Sequence, residues 1–455
     1  MRSIVASRPL TPVGLLLLAA SCGCRPGDAP RALVVVVSGD TSGWIVPCGC
    51  TSNQSGGLPR RASYLKQLRA AGDVLTVDVG GAPAGRSLYD RLKFAAICRG
   101  EVAMGLVAHN LGAAEVRLGP AALGEIARDT GAPFLSTNAA DAAGRPIAAP
   151  LRIVERAGRR VALLGVLDES FATPEIQVAP PRQALSAAIA RIAGKYDALL
   201  VLAYLPEDSL QQLAAALPEA DLVVGGPTGQ TLAPRRIGPT LLSSATNKGK
   251  FLVRAVAPAE AGEPWSARVV ELDAHVPDDP GQIANVKRFY AELARRDLTP
   301  GQTSLAAGLD SPPGYRIAGS SRCRACHEEA QQTWQRSRHA HAWGSLLAKQ
   351  AHVDPDCQRC HTTGYGQPGG FASALRSPSL VGVGCESCHG PSLAHVEDPQ
   401  RPTGYAGAAQ DRCRDCHDRE NSPKFEYHAY WTKIFHGPAE EPAAPAAATG
   451  KGDAR

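Results

Sequence analysis

One five-residue pattern constrains this chain more than anything else in it. Cys-x-x-Cys-His occurs four times within residues 323–417: Cys323–Cys326–His327, Cys357–Cys360–His361, Cys385–Cys388–His389 and Cys413–Cys416–His417. Two thiols three positions apart can add to both vinyl groups of one porphyrin, and the next histidine then reaches the iron as proximal ligand. Four copies in so short a span exclude bystander zinc or disulfide pairs and imply four haem c groups. Porphyrin faces then replace much of the side-chain core, which fits the weak periodicity and few long apolar runs of residues 320–437. Methionine cannot be the sixth ligand, because the chain has only Met1 and Met104. Six other histidines lie near the motifs: His339, His341, His352, His395, His428 and His436. Bis-histidine ligation, which favours low potentials, is therefore the expectation.

Covalent haem requires export, and the N-terminus reads as an export signal. Arg2 and Arg8 precede the apolar run Val13–Ala20, which is too short to span a bilayer. Ala19-Ala20-Ser21-Cys22 resembles a bacterial lipobox, with lipidation at Cys22; a plain signal cut nearby is the alternative. The expected location is periplasmic or cell-surface, anchored to the membrane by lipid. The net charge of +5 comes without a long basic run, so nucleic-acid binding has no support. Four haems, with two propionates each, would bring about −4 to −8 and offset that excess.

The motif region, 320–437, resembles the tetrahaem cytochrome c family of the hydroxylamine-oxidation pathway. The resemblance rests on Trp334-Gln-Arg-Ser-Arg-His339, Asp356-Cys-Gln-Arg-Cys-His361-Thr-Thr-Gly-Tyr365, Gly382-Val-Gly-Cys385-Glu-Ser-Cys-His389-Gly-Pro, His395, and Tyr430-Trp-Thr-Lys-Ile-Phe-His436. It implies His339, His395 and His436 as distal iron ligands, with one haem left five-coordinate. His339 and His341 are expected on one helix, Gln331–Ala348, facing different sides.

Residues 32–275 have a different texture. Apolar runs at Val34–Val37, Val74–Val79, Val161–Val166, Leu199–Ala203 and Leu222–Val224 read as buried strands. Helix-like stretches at Arg61–Ala70, Ala184–Ala193 and Ser209–Ala216 separate them, which argues an α/β layered domain. The turn Gly56-Gly57-Leu58-Pro59-Arg60-Arg61 and the run Ala220–Gly226 make the region similar to the metal-dependent phosphoesterase domain of 5′-nucleotidases, a calcineurin-like β-sandwich with flanking helices. A two-metal hydrolase needs several Asp, His and Asn ligands. At the matching positions stand Asp40-Thr41-Ser42, Gly80-Gly81, Gly119-Pro120-Ala121, Tyr204 and Gly226-Pro227-Thr228-Gly229, so only Asp40 survives and the domain is expected to be non-hydrolytic. Cys48, Cys50 and Cys98 are the thiols left over. A disulfide, a three-thiolate metal site and a redox-active Cys-x-Cys pair all remain open for them. Residues 276–319 are expected as a connector with one helix, Gln282–Arg295, and residues from 438 as a disordered tail.

The whole is expected to be a multidomain electron carrier exchanging electrons with redox donor and acceptor proteins or quinol-linked enzymes. The alternatives are an oxidoreductase acting on a small nitrogen-oxide-type ligand at an open haem, and a 5′-nucleotidase-like hydrolase.

Overall fold

The computed structural model describes residues 32–47, 54–258, 263–305, 313–406 and 409–437. Cys22, Cys48, Cys50 and the tail lie outside them. Two six-stranded sheets form the N-terminal region. Across the first run Ser266–Glu271, Phe251–Val256, Val34–Ser38 (β1), Val74–Asp78 (β2), Leu106–Asn110 (β3) and Phe134–Leu135. Across the second run Leu232–Ile237, Thr240–Ser244, Leu222–Gly226, Ala198–Tyr204 (β5), Arg159–Leu167 (β4) and Arg152–Arg156. The central strands of each sheet are parallel, with antiparallel strands toward the edges.

Near-continuous apolar runs suit such strands because both faces are covered. In β1, Val35 and Val37 point to the other sheet and, with Leu75 and Val77 of β2 alongside, meet Leu163, Leu200, Leu202 and Val224 there. Val34 and Val36 point outward, beneath helices. Those helices are Leu58–Ala71 (α1), Leu88–Ala103 (α2) and Pro280–Arg296 (α3). The outer face of the second sheet is covered by 181–192 and 207–216 through Leu185, Ile192, Leu210 and Leu213. Four layers result, helix–sheet–sheet–helix, as the run pattern implies.

Capping fixes where the helices begin. Ser87 and Asp90 form a reciprocal capping box at the start of α2. The Asp279 side chain accepts from the Gln282 N–H at the start of α3, with Pro280 in the first turn. α3 lies in the stretch expected to connect domains, yet it presents Val286, Phe289 and Leu293 to the same core as α1 and α2. That i, i+3, i+7 stripe is the signature of a helix with a buried face.

The C-terminal region has a different construction. Its helices are short: Glu328–Arg336 (α4), Ala342–Ala348 (α5), Pro355–His361 (α6), and pieces of four or five residues after that. Its one buried apolar cluster among the described residues centres on Ile317, Tyr365, Phe371 and Leu380. The expected single helix 331–348 is in fact two, because Ser337 leaves the helix in an extended conformation and its hydroxyl donates to the Trp334 carbonyl. His339 therefore sits in the turn between α4 and α5.

Candidate haem sites and a filled crevice

Within each motif a helical turn gathers the three reactive groups. The N–H of His327 donates to the Cys323 carbonyl at 3.0 Å, that of His389 to Cys385 at 3.0 Å, and that of His417 to Cys413 at 2.9 Å. The second motif lies wholly within α6. Positions i, i+3 and i+4 then share one side, which is what attaching a porphyrin by two thiols while presenting an imidazole demands.

Three motif histidines each face a second histidine brought from another part of the fold. The ring centres of His327 and His395 are 6.2 Å apart, those of His339 and His417 6.1 Å, and those of His389 and His436 5.8 Å. Two imidazoles on opposite sides of one metal ion, with metal–nitrogen bonds of about 2 Å, place their ring centres on the order of 6 Å apart. The residues present therefore fit iron held between paired imidazoles. The other ring nitrogen is anchored in several of them. Nδ1 of His395 meets the Arg401 carbonyl at 2.7 Å, that of His436 the Ile434 carbonyl at 2.7 Å, and that of His417 the Ser422 hydroxyl at 3.0 Å. Such a bond fixes the tautomer and leaves Nε2 free for a metal.

His361 differs. Its Nδ1 is anchored in the same way, 2.9 Å from the Ala342 carbonyl, but no histidine ring faces it among the described residues. His352 packs edge-on to Trp343 and His428 edge-on to Tyr427, while His341 stands at the start of α5.

The thiols also report which motifs adjoin. Cys323 lies beside Cys385, Cys360 beside Cys416, and Cys388 within electrostatic reach of Cys413. In sequence order of the motifs, the adjacency runs first, third, fourth, second.

At the ends of the parallel strands in the α/β region lies the crevice where the phosphoesterase resemblance would put two metal ions. Asp40 is there, in a left-handed conformation (φ 49°). Its carboxylate accepts from the Ser42 hydroxyl at 3.0 Å and the Thr246 hydroxyl at 2.6 Å. Burial pushes its pKa up, against those hydrogen bonds. Gly119-Pro120 turns out to open the helix 119–130 and does not follow a strand end. The loop leaving β3 is Leu111-Gly112-Ala113, so the departure from the metal-binding pattern at this position falls there.

Tyr204 fills the space. Its ring lies against two glycines: a methyl group added at Gly81 or at Gly112 would come within 2.9 Å of it. Phe171 packs edge-on at 5.7 Å. Burial raises the Tyr204 phenol, and the Glu115 and Asp40 carboxylates raise it further.

Just beneath is a buried charge network that sequence reasoning missed. Arg61, Asp78, Glu101, His109 and Glu115 are all at most 2% exposed. His109 bridges two carboxylates, Nδ1 to Glu101 at 2.8 Å and Nε2 to Glu115 at 3.2 Å. Arg61 reaches Glu101 at 3.4 Å and Asp78 at 3.7 Å, and donates to the Thr41 hydroxyl. Glu115 also accepts from the N–H groups of Gly81, Ala82 and Gly112. Burial alone would depress His109, but Glu101 and the two hydrogen bonds outweigh it and hold its pKa well above 6.5. Asp78, Glu101 and His109 bring ligand atoms within 4.8 Å of one another; Arg61 and His109 already supply the positive charge that a cation would bring. The signal available in the sequence was a histidine inside an apolar strand, Val107-Ala108-His109. Cys98, on α2, is a free and fully buried thiol. Burial pushes its pKa well up, and Glu101, Glu115 and Asp78 add to that.

Comparison with known proteins divides the chain in the same place. Residues 322–390 match the family "Cytochrome c554 and c-prime". Cytochrome c-554 of Nitrosomonas europaea is 44% identical over 124 residues, which is 24% of this chain and 49% of that protein. The chain thus spans about half the length of the curated relative it matches. The N-terminal region has the fold of a Thermus thermophilus 5′-nucleotidase precursor (TM-score 0.52, 20% identity, 59% of this chain and 60% of that one). It is also similar to a Thermus thermophilus sulfate thiohydrolase, SoxB (0.50, 18%, 58% and 61%), and to the calcineurin-like phosphoesterase YfkN of Bacillus subtilis (0.50, 14%, 58% and 98%). At these identities the likeness is one of fold. The molecule joins a phosphoesterase-type α/β fold to a c-type cytochrome region.

Proposed function

We propose that this protein is an extracytoplasmic tetrahaem electron carrier whose α/β domain does not hydrolyse phosphoesters. The observation that carries the reading is the set of three facing histidine pairs, His327–His395, His339–His417 and His389–His436, at 5.8–6.2 Å. Bound haem supplies one-electron iron chemistry at the four motifs. The chain's own residues do the rest. Cys323/Cys326, Cys357/Cys360, Cys385/Cys388 and Cys413/Cys416 tether the porphyrins, and the paired histidines cap three irons and restrict them to electron transfer. The thiol adjacency supports a chain of centres from the Cys323 motif through those of Cys385 and Cys413 to that of Cys357. Redox partner proteins or quinol-linked enzymes would sit at the two ends, and lipid on Cys22 would tether the whole to a membrane.

For the α/β domain, the support is a crevice with one carboxylate and a tyrosine ring in it. One carboxylate cannot retain two ions. Phosphatase activity that appears with a divalent metal and disappears in Asp40→Ala would refute this part.

A second reading has one observation in its favour: among the described residues no histidine ring faces His361. An iron held by His361 would have an open position, which a small nitrogen-oxide-type ligand could occupy. One experiment tests both readings: low-temperature electron paramagnetic resonance on the oxidised protein, with a haem count. Four haems, three low-spin and one high-spin (roughly g = 6, by the open-position argument), is the expected result. A count other than four defeats the tetrahaem reading. Four low-spin signals defeat the open-haem reading and leave a plain carrier.

A further inference from the structure

The α/β domain touches the cytochrome region at one place with consequences for the chemistry, the start of α6, which carries the Cys357–Cys360–His361 motif. Asp354 caps this helix, accepting from the N–H of Asp356 at 3.0 Å. Both aspartates receive side chains from α2. The Tyr89 hydroxyl contacts Asp354 and Asp356, and Lys93 donates to the Tyr89 hydroxyl at 2.8 Å and forms an ion pair with Asp356. Tyr89 and Lys93 are four apart and share one face of α2. Lys93 is 6% exposed. Burial works against its charge, but Asp356 and Asp354 outweigh burial and keep it protonated. Cys357, the next residue after Asp356, lies within electrostatic reach of Tyr89, Lys93 and Tyr290 of α3. Two helices of the α/β domain thus wall the attachment point of the motif whose histidine, among the described residues, has no facing histidine.

A buried charge acts over a longer range than an exposed one, because little water screens it. Reduction of ferric to ferrous iron lowers the positive charge at the centre by one, so a fixed cation nearby favours the reduced form and a fixed anion the oxidised form. We infer that the α/β domain tunes the haem attached at Cys357 and Cys360, with Lys93 raising its reduction potential against the pull of Asp354 and Asp356. Lys93 is a positioning and tuning residue, since it acts on the iron without touching it. A fold that has lost its metal ligands thereby keeps a role, as a source of buried charge beside the open centre.

The inference rests on the reading that this motif carries a haem. Its test is a potentiometric titration of full-length holoprotein, following the high-spin signal and the low-spin signals separately. In Lys93→Met the ferrous-to-ferric ratio of the high-spin haem at a fixed potential should fall about tenfold, a downward shift of about 59 mV for one electron. In Asp356→Asn it should shift upward, and the double variant should return toward the wild-type value. Lys93→Arg, which keeps the charge, should stay near wild type. Opposite signs in the two single variants cannot come from mere loosening of the interface, which would move both the same way. No shift, shifts of one sign, or equal shifts in all four haems would overturn the inference. A haem count of three would sink the underlying reading and the inference with it. Four haems with no high-spin signal would defeat only the open-haem reading, and the four optical midpoints would then carry the same comparison.

Discussion

Tyr204 and the two glycines under it show how single residues can close a crevice. Gly81 has φ +81°, a conformation that costs an L-residue on the order of 1–2 kcal/mol. Reintroducing a carboxylate by Gly81→Asp would meet both that strain and the Tyr204 ring. The expected outcome is a loss of roughly 2–4 kcal/mol in the α/β domain's stability, combining the backbone cost with overpacking, and no gain in metal retention. Tyr204→Ala carries its own cavity cost of about 3–5 kcal/mol, so the comparison is made within that background, where adding Gly81→Asp should cost only the backbone share. Denaturant midpoints of these variants check this; equal stability of wild type and Gly81→Asp would show the crevice to be open. His109 gives a second prediction, set by its sign. Its folded pKa lies well above its unfolded value of 6.5, so its contribution is fully present below about pH 6.5 and is lost as pH rises toward the folded pKa. Stability of the α/β domain should therefore decline on going up from pH 6.5. His109→Gln, which leaves Glu115 without its cation and Glu101 with Arg61 alone, should lower stability by about 3–5 kcal/mol at pH 6 and flatten that decline. A variant with the wild-type slope would assign the pH dependence to other groups.

Pairing of histidines is a property of elements, since each pair joins segments far apart in sequence. His395 comes from the helix Leu393–Glu397, His339 from the turn between α4 and α5, and His436 from beyond the helix Tyr427–Trp431. Replacing a distal histidine should open one iron and leave the rest alone. His395→Ala should add a second high-spin signal of the same amplitude as the first, arising from the haem at Cys323/Cys326; His339→Ala should do the same for the haem at Cys413/Cys416. His341→Ala and His352→Ala should leave the spectrum unchanged. A new high-spin signal in His352→Ala would instead place that residue on the His361 iron. The four motifs were legible because covalent attachment writes its chemistry into contiguous residues, whereas His339, His395 and His436 came only from the family resemblance. Which distal histidine serves which motif was not legible, because nothing local encodes a contact such as His339 with His417. The strands of the α/β region were legible for the same reason as the motifs, as continuous runs like Val34–Val37. The break at Ser337 was not, because a side-chain bond to the Trp334 carbonyl competes with helix there and the local sequence suits either outcome. The network around His109 escaped notice because a lone histidine in a strand has no spacing pattern to read.

At the scale of the whole molecule, the question is what holds the two halves in register. Besides Lys93–Asp356 and the Tyr89 hydroxyl on the same aspartates, the contacts include Lys248 with Glu420, the Gln54 amide with the Glu420 carbonyl at 2.8 Å, and Arg376 with Asp297 at 3.1 Å. These do not weigh equally. Lys248 and Glu420 are about one-third exposed, and Arg376 is 60% exposed. Pairs of that kind are worth about 0–1 kcal/mol and are screened by salt. Lys93 is buried, hydrogen-bonded to Tyr89 and flanked by the buried Asp354 as well as by Asp356, whose side chain is 40% exposed, so removing Asp356 leaves the charge with one remaining carboxylate, at a cost of about 1–3 kcal/mol. The docking should therefore behave as one strong anchor with weak neighbours. Hydrogen exchange on full-length protein can separate the two. Lys248→Glu should speed exchange only locally, around residues 418–422, by less than about tenfold, and 0.5 M salt should reproduce that effect in the wild type. Asp356→Ala should speed exchange in both α2 and α6 by a factor well above ten, with little sensitivity to salt. Should Lys248→Glu instead release α6, the anchor lies at Glu420, and the α/β domain would be held to the haem at Cys413/Cys416, not to the one at Cys357/Cys360.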